Sequence, residues 1–156
     1  MENVMDVAAY ICGRYQEAFG EKIDEMKLHK LMYFAQRESL AQTGEPIFDA
    51  TFRGWKYGPV LTELRKPYQQ DQLMKPVDEN VARQLSAVMD TVFAEYAQMP
   101  SFSLTRLTHG EISWRRSRKG IAPADVSDRP IALEDIRLDA QRIRDRREML
   151  KKQGLL

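Results

Sequence analysis

The chain has 156 residues, 43% of them hydrophobic and 30% charged, with a formal net charge of +1. That length gives one domain with a real core, and the near-neutral balance excludes a general attraction to polyanions. The single cysteine, Cys12, excludes an internal disulfide and a cysteine metal cage, and fits a reducing cytoplasm.

The N-terminal MENVMDVAAYICGRYQEAF carries charges at both ends of its apolar part, unlike a signal peptide. No run reaches the roughly 20 apolar residues of a membrane span. The spacing of Val4, Val7, Ala8, Ile11, Tyr15 and Phe19 predicts a first helix over 4–19, with Asn3 as N-cap and Gly20 as its stop. Cys12 lies beside that stripe and reads as a small buried side chain. A second helix runs from an Asp24 cap to Thr43 and stops at Gly44. Leu28, Leu31, Met32 and Ala35 form its apolar face, widened by Tyr33 and Phe34. Lys27, Lys30 and Arg37 decorate the helix, the lysines expected to keep their charges in water, and His29 reads as a surface or hydrogen-bonded residue.

Residues 46–48 and 50–55 alternate well enough for two short strands or one bent one. Trp55-Lys56-Tyr57-Gly58-Pro59 is a turn, followed by a short helix from Val60 to about Lys66 that Pro67 ends. Residues 68–77 carry little pattern and read as a mobile connection. Asp78 caps a strongly amphipathic helix through Val81, Leu85, Val88, Val92 and Tyr96 that ends before Pro100. Ser103 caps one or two turns with Leu104 and Leu107, and residues 111–116 make a short helix bearing Trp114. Arg115 to Gly120 (RRSRKG) is the densest positive run, and 121–129 form a loop. The last helix spans about 133–153, with Ile136, Ala140, Ile143 and Leu150 inward and an arginine-rich second half read as a solvated, dipole-matched face. The fold class is mainly α: a compact single-domain helical fold over 1–156, with a small β-hairpin between the second and third helices.

Catalytic patterns are missing: the sequence has no nucleophile elbow, P-loop or dinucleotide fingerprint. His29 and His109 have no partners at metal-ligand spacing. Thr108-His109 with Glu111 is the one local set resembling a base and its orienter, so the expectation is no enzyme, no metal and no cofactor. A nucleic-acid-binding regulator would use Arg115, Arg116, Arg118 and Lys119 on phosphates with Trp114 stacking, against nearby acidic residues.

Lys27-Leu28-x-Lys30-Leu31-x-Tyr33, then Trp55-Lys56-Tyr57-Gly58-Pro59-Val60, then Leu104, Leu107, Thr108-His109 and Trp114, resemble the Panacea domain. This is the SocA-like antitoxin domain of bacteria and their prophages. Order and spacing agree from about Asp6 to the last helix, with RRSRKG as a departure. The resemblance implies a cytoplasmic, non-enzymatic antitoxin that binds a toxin encoded by an adjacent gene, and in some members delivers it to a protease. An antitoxin needs aromatic and arginine anchors. Arg53, Trp55, Lys56, Tyr57, Trp114, Arg115 and Arg116 are the candidates, with Trp55 and Trp114 read as core ahead of partner contact and Lys56 and Tyr57 as the better surface positions. Lys27, Leu28, Lys30, Leu31, Tyr33, Gly58, Pro59, Thr108 and His109 are expected to be structural.

Overall fold

A computed structural model describes residues 1–156. Helix α1 (Val4–Phe19) is capped by the Asn3 side chain, which accepts the Met5 N–H at 2.8 Å, and it ends on left-handed Gly20. Helix α2 (Glu25–Thr43) begins at Asp24, whose carboxylate accepts the Lys27 N–H, and stops at left-handed Gly44. Both boundaries follow from local chemistry and match the sequence reading.

Strands β1 (Arg53–Trp55) and β2 (Gly58–Val60) form an antiparallel hairpin closed by the turn Lys56-Tyr57, Arg53 opposite Val60. A 3₁₀ turn (Thr62–Leu64) leads into helix α3 (Arg65–Gln69). Pro67 lies inside α3 rather than ending it, because first-turn N–H groups have no intrahelical partner to lose. Helix α4 (Glu79–Val92) widens into a π-turn (Phe93–Ala97). Helices α5 (Ser101–His109), α6 (Ile112–Ser117) and α7 (Leu133–Lys152) complete the chain. The result is mainly helical with one small hairpin, as expected.

Several local readings need correction. Ile47 and Phe48 form no strand pair, only a single bridge from Glu2 to Phe48. Ser103 lies inside α5, which starts after Pro100. The connection after α3 is anchored, since the Tyr68 hydroxyl donates to the Ile23 carbonyl at 2.7 Å and Leu73 is buried.

The largest correction concerns α2. Every residue from Lys27 to Leu40 is buried, because α1, α4, α5, α7 and β2 all pack around this helix. Its polar side chains therefore find partners inside, with Arg37 Nε left unpaired. Lys27 Nζ donates to the Ala97 carbonyl at 3.1 Å and to the Tyr15 hydroxyl at 3.3 Å. Gln36 accepts the Ile47 N–H and donates to the Phe48 carbonyl. His29 is hydrogen-bonded, but in the interior: Nδ1 accepts the Leu61 N–H, so Nε2–H donates to Glu25 at 3.1 Å. Burial lowers its pKa. Lys30, 1% exposed, has its amine pushed down to about 8 by burial.

Helix α7 docks on α2 through arginines, which corrects the reading of its second half as merely solvated. Arg137 and Arg144 donate to the Gly44 and Leu40 carbonyls at 2.7 and 2.9 Å, the first an acceptor beyond the end of α2 and the second a carbonyl that also takes the Gly44 N–H. Arg147 grips buried Glu38 with two bonds of 2.7 Å.

Candidate functional site: the hairpin turn and the recess beside it

The hairpin is held by close backbone approach. Gly58 has φ +125°, and a Cβ there would lie 2.8 Å from Thr108 Oγ1 and 3.5 Å from Lys30 Nζ, so only glycine fits. A Cβ on Gly54 would overlap Ser117 Oγ and sit 3.0 Å from Ser117 Cβ. The hairpin can therefore press directly on α5, α6 and α2.

Two rings lock it there. Trp114 Nε1–H donates to the Trp55 carbonyl at 2.8 Å. His109 stacks on Trp114 with centroids 4.1 Å apart, and its Nε2–H donates to the Lys56 carbonyl at 3.1 Å. Burial lowers the His109 pKa, which favours the neutral ring this stack contains. His109 thus closes the hairpin turn rather than its own helix. Glu111 belongs to a separate network with Tyr33 and Arg37, so the local Thr-His-Glu set does not assemble into a base and its orienter.

The turn itself faces outward. Tyr57 is 56% exposed with the Lys56 ammonium 5.2 Å from its ring centre. Trp55 is half-buried, its indole N–H donating to Asp128 at 2.9 Å and its ring covered on one side by the Arg65 guanidinium. Trp55, Lys56 and Tyr57 join Met26, Val60 and Val126 around a mostly apolar recess of about 400 Å³. Val126 is 91% exposed. Met26 and Val126 were invisible to pattern reading: one starts a helix and the other lies in an aperiodic loop. Two exposed apolar side chains flanking a turn are their only signal.

The other candidate residues fall elsewhere. Arg53 lines a separate shallow depression with Thr62 and Glu63. Trp114 is 9% exposed and supports the hairpin from below. Arg115 and Arg116 are exposed on α6, Arg116 paired with Asp135 at 2.8 Å. Arg118 is 5% exposed and donates to the carbonyls of Gly54, Ala122 and Asp125. It ties the following loop to the hairpin, so the basic run loses one of its four cations to the interior. Lys27, Leu28, Lys30, Leu31, Tyr33, Gly58, Pro59 and Thr108 are all buried.

The family model described as antitoxin SocA-like, Panacea domain, matches residues 28–115, a little over half of the sequence. The chain belongs to the SocA-like Panacea family. No curated protein and no solved structure matches it. The Panacea match runs from α2 through Trp114 and so contains both halves of the hairpin joint. It stops short of α7 and of the loop that carries Val126.

A second cluster, also outside the reach of motif reading, lies where α2, α6 and α7 meet. The Asp139 carboxylate accepts the Ile112 and Ser113 N–H groups at 2.7 and 3.0 Å, capping α6 from a distant helix. The Tyr33 hydroxyl lies 2.9 Å from Asp139, 3.2 Å from Glu111 and 2.8 Å from Ser113 Oγ. Arg37 donates to Glu111 at 2.6 Å and to the Tyr96 hydroxyl. One tyrosine proton cannot serve two carboxylates. Burial, opposed by Arg37 and reinforced by Asp139, pushes the Glu111 carboxyl up to about 7. Its sequence signal is Asp139, an acid three residues after Ile136 on an otherwise apolar stripe.

Proposed function

We propose that this Panacea protein neutralises a protein toxin encoded by an adjacent gene, by direct contact through the hairpin turn and its recess. The observation that carries this reading is Tyr57, exposed over an apolar recess on a turn whose backbone is immobilised from beneath. Interfaces are anchored by such aromatics on fixed scaffolds, where little ordering entropy is lost on binding. Lys56 at the rim favours an acidic toxin face. The role is non-catalytic, with masking or delivery to a protease as its two modes. A reducing cytoplasm belongs to the same reading, and buried Cys12, its thiol raised to about 11 by burial, is inert there. The nucleic-acid alternative is weakened: with Arg118 inside and Arg116 paired, Arg115 and Lys119 are the cations of that run left free.

The test is co-expression with the adjacent gene product. Lys56→Glu/Tyr57→Ala should abolish growth rescue and lower toxin affinity by at least about thirtyfold, the effect of losing a 2 kcal/mol anchor. Its circular dichroism and melting should match the parent. Full rescue by that variant places the interface elsewhere. Toxin levels separate the modes: they fall on co-expression if delivery operates and hold if masking does.

A further inference from the structure

On the face formed by the π-turn, α5 and α7, a cleft of about 510 Å³ opens above the Glu111 network. Its size suits a small organic ligand. Arg37 lies at its floor, while Arg142 and Arg146, one helical turn apart on α7, line it with Leu107 and Ile143.

The charges here are unevenly spent. The carboxylates are engaged: Asp139 by α6 and Tyr33, Glu111 by Arg37 and Tyr33, Asp145 by Gln141. Arg142 and Arg146 are exposed and make no ion pair or side-chain hydrogen bond, whereas Arg137, Arg144 and Arg147 on the same helix are all committed to α2. Arg37 Nε is the one buried side-chain nitrogen or oxygen without a partner. Leaving such a donor unpaired costs about 1–3 kcal/mol, a cost that a bound acceptor, whether ligand or water, would offset.

We propose that this cleft binds a small phosphorylated ligand with a partly apolar body, of the nucleotide type, through Arg37, Arg142 and Arg146. Arg142 and Arg146 are the uncommitted guanidiniums and Arg37 adds one unpaired Nε–H, a donor set that matches a phosphate or pyrophosphate group, which guanidinium forks bind in pairs of hydrogen bonds. Leu107 and Ile143 supply the wall for the body. Glu111 accommodates the anion, because a carboxyl raised to about 7 takes a proton instead of repelling the newcomer. Nearly half the cleft, including both free arginines, comes from α7 outside the Panacea match, so the site is a property of this chain rather than of the shared scaffold.

Calorimetric titration of the purified full chain, without any toxin, tests this with ADP and inorganic pyrophosphate as probes. The expected result is saturable one-to-one binding, tighter for ADP. Arg142→Glu/Arg146→Glu should weaken it at least about tenfold without altering the melting curve, since both side chains are exposed. The Arg37 Nε–H resonance should shift on titration in the parent. No saturable binding of either probe, or binding indifferent to the double substitution, overturns the proposal. Pyrophosphate binding as tightly as ADP overturns the role given to the apolar wall.

Discussion

The hairpin joint and the α2–α6–α7 junction solve the same problem, fixing one segment on another, with opposite materials. At the joint, glycines let backbones touch and two stacked rings each donate to a hairpin carbonyl. No ion pair is involved. At the junction, an arginine, two carboxylates and a tyrosine share buried hydrogen bonds. Shape holds the first and proton placement the second. A joint made of shape should be intolerant of added volume. A junction made of charge should respond to pH.

The largest effect is expected from Asp139→Ala. It strips acceptors from two backbone N–H groups and the Tyr33 hydroxyl in one step. With each buried unpaired group costing about 1–3 kcal/mol, urea unfolding should reveal a loss of about 3–5 kcal/mol. A loss under 1 kcal/mol would mean that water replaces the carboxylate and the junction is open.

Next comes the joint. Gly54→Ala drives a methyl into Ser117, whose hydroxyl is held by the Trp114 carbonyl at 2.6 Å. Overpacking of this kind costs about 1–3 kcal/mol. Adding Ser117→Ala should restore part of the melting temperature. An unrestored double variant would move the strain away from that contact.

The smallest effect distinguishes the two regions most sharply. The Glu111 carboxyl stands at about 7 in the fold, above its ordinary 4.5. The folded state therefore binds the extra proton between those values, and this contribution to stability is full below about 4.5 and lost as pH rises through 7. Melts of the parent against Glu111→Gln from pH 5 to 8 should show the parent losing ground by up to about 3 kcal/mol. Parallel curves would show that Glu111 is not the proton holder.

Much of the frame was legible in the sequence because it is written in neighbouring residues. Asn3 and Gly20 bound α1, Asp24 and Gly44 bound α2, and the hairpin turn follows from Gly58-Pro59. The burial of α2 on every side was not legible. A stripe analysis assigns Lys27, Lys30, Arg37 and Glu38 to water, whereas their partners lie far along the chain: Ala97 for Lys27, Glu111 for Arg37, Arg147 for Glu38. Local pattern cannot report a contact made over 70 or 109 residues. The candidate site divides likewise. Trp55, Lys56 and Tyr57 share the recess as a turn motif would place them, while Val126 reaches it from a loop with no periodic signal. Arg118 stood in a basic run and turned inward because three carbonyls needed its donors.

The loop after Arg118 has one more effect. It comes back alongside β1, where Gly54 N–H donates to the Arg129 carbonyl and Ile131 N–H to the Phe52 carbonyl, both at 2.8 Å, with Arg53 bridged to Pro130. The outer edge of β1 is therefore already taken, and an incoming chain cannot extend the sheet by lying along it. A protein that docks at this turn from the β1 side must be recognised by side chains, not by its main-chain conformation. If the turn is the docking surface proposed above, choice of partner rests on a few substitutable positions around Tyr57, and a lineage can exchange one client for another by point mutation while its framework stays as it is.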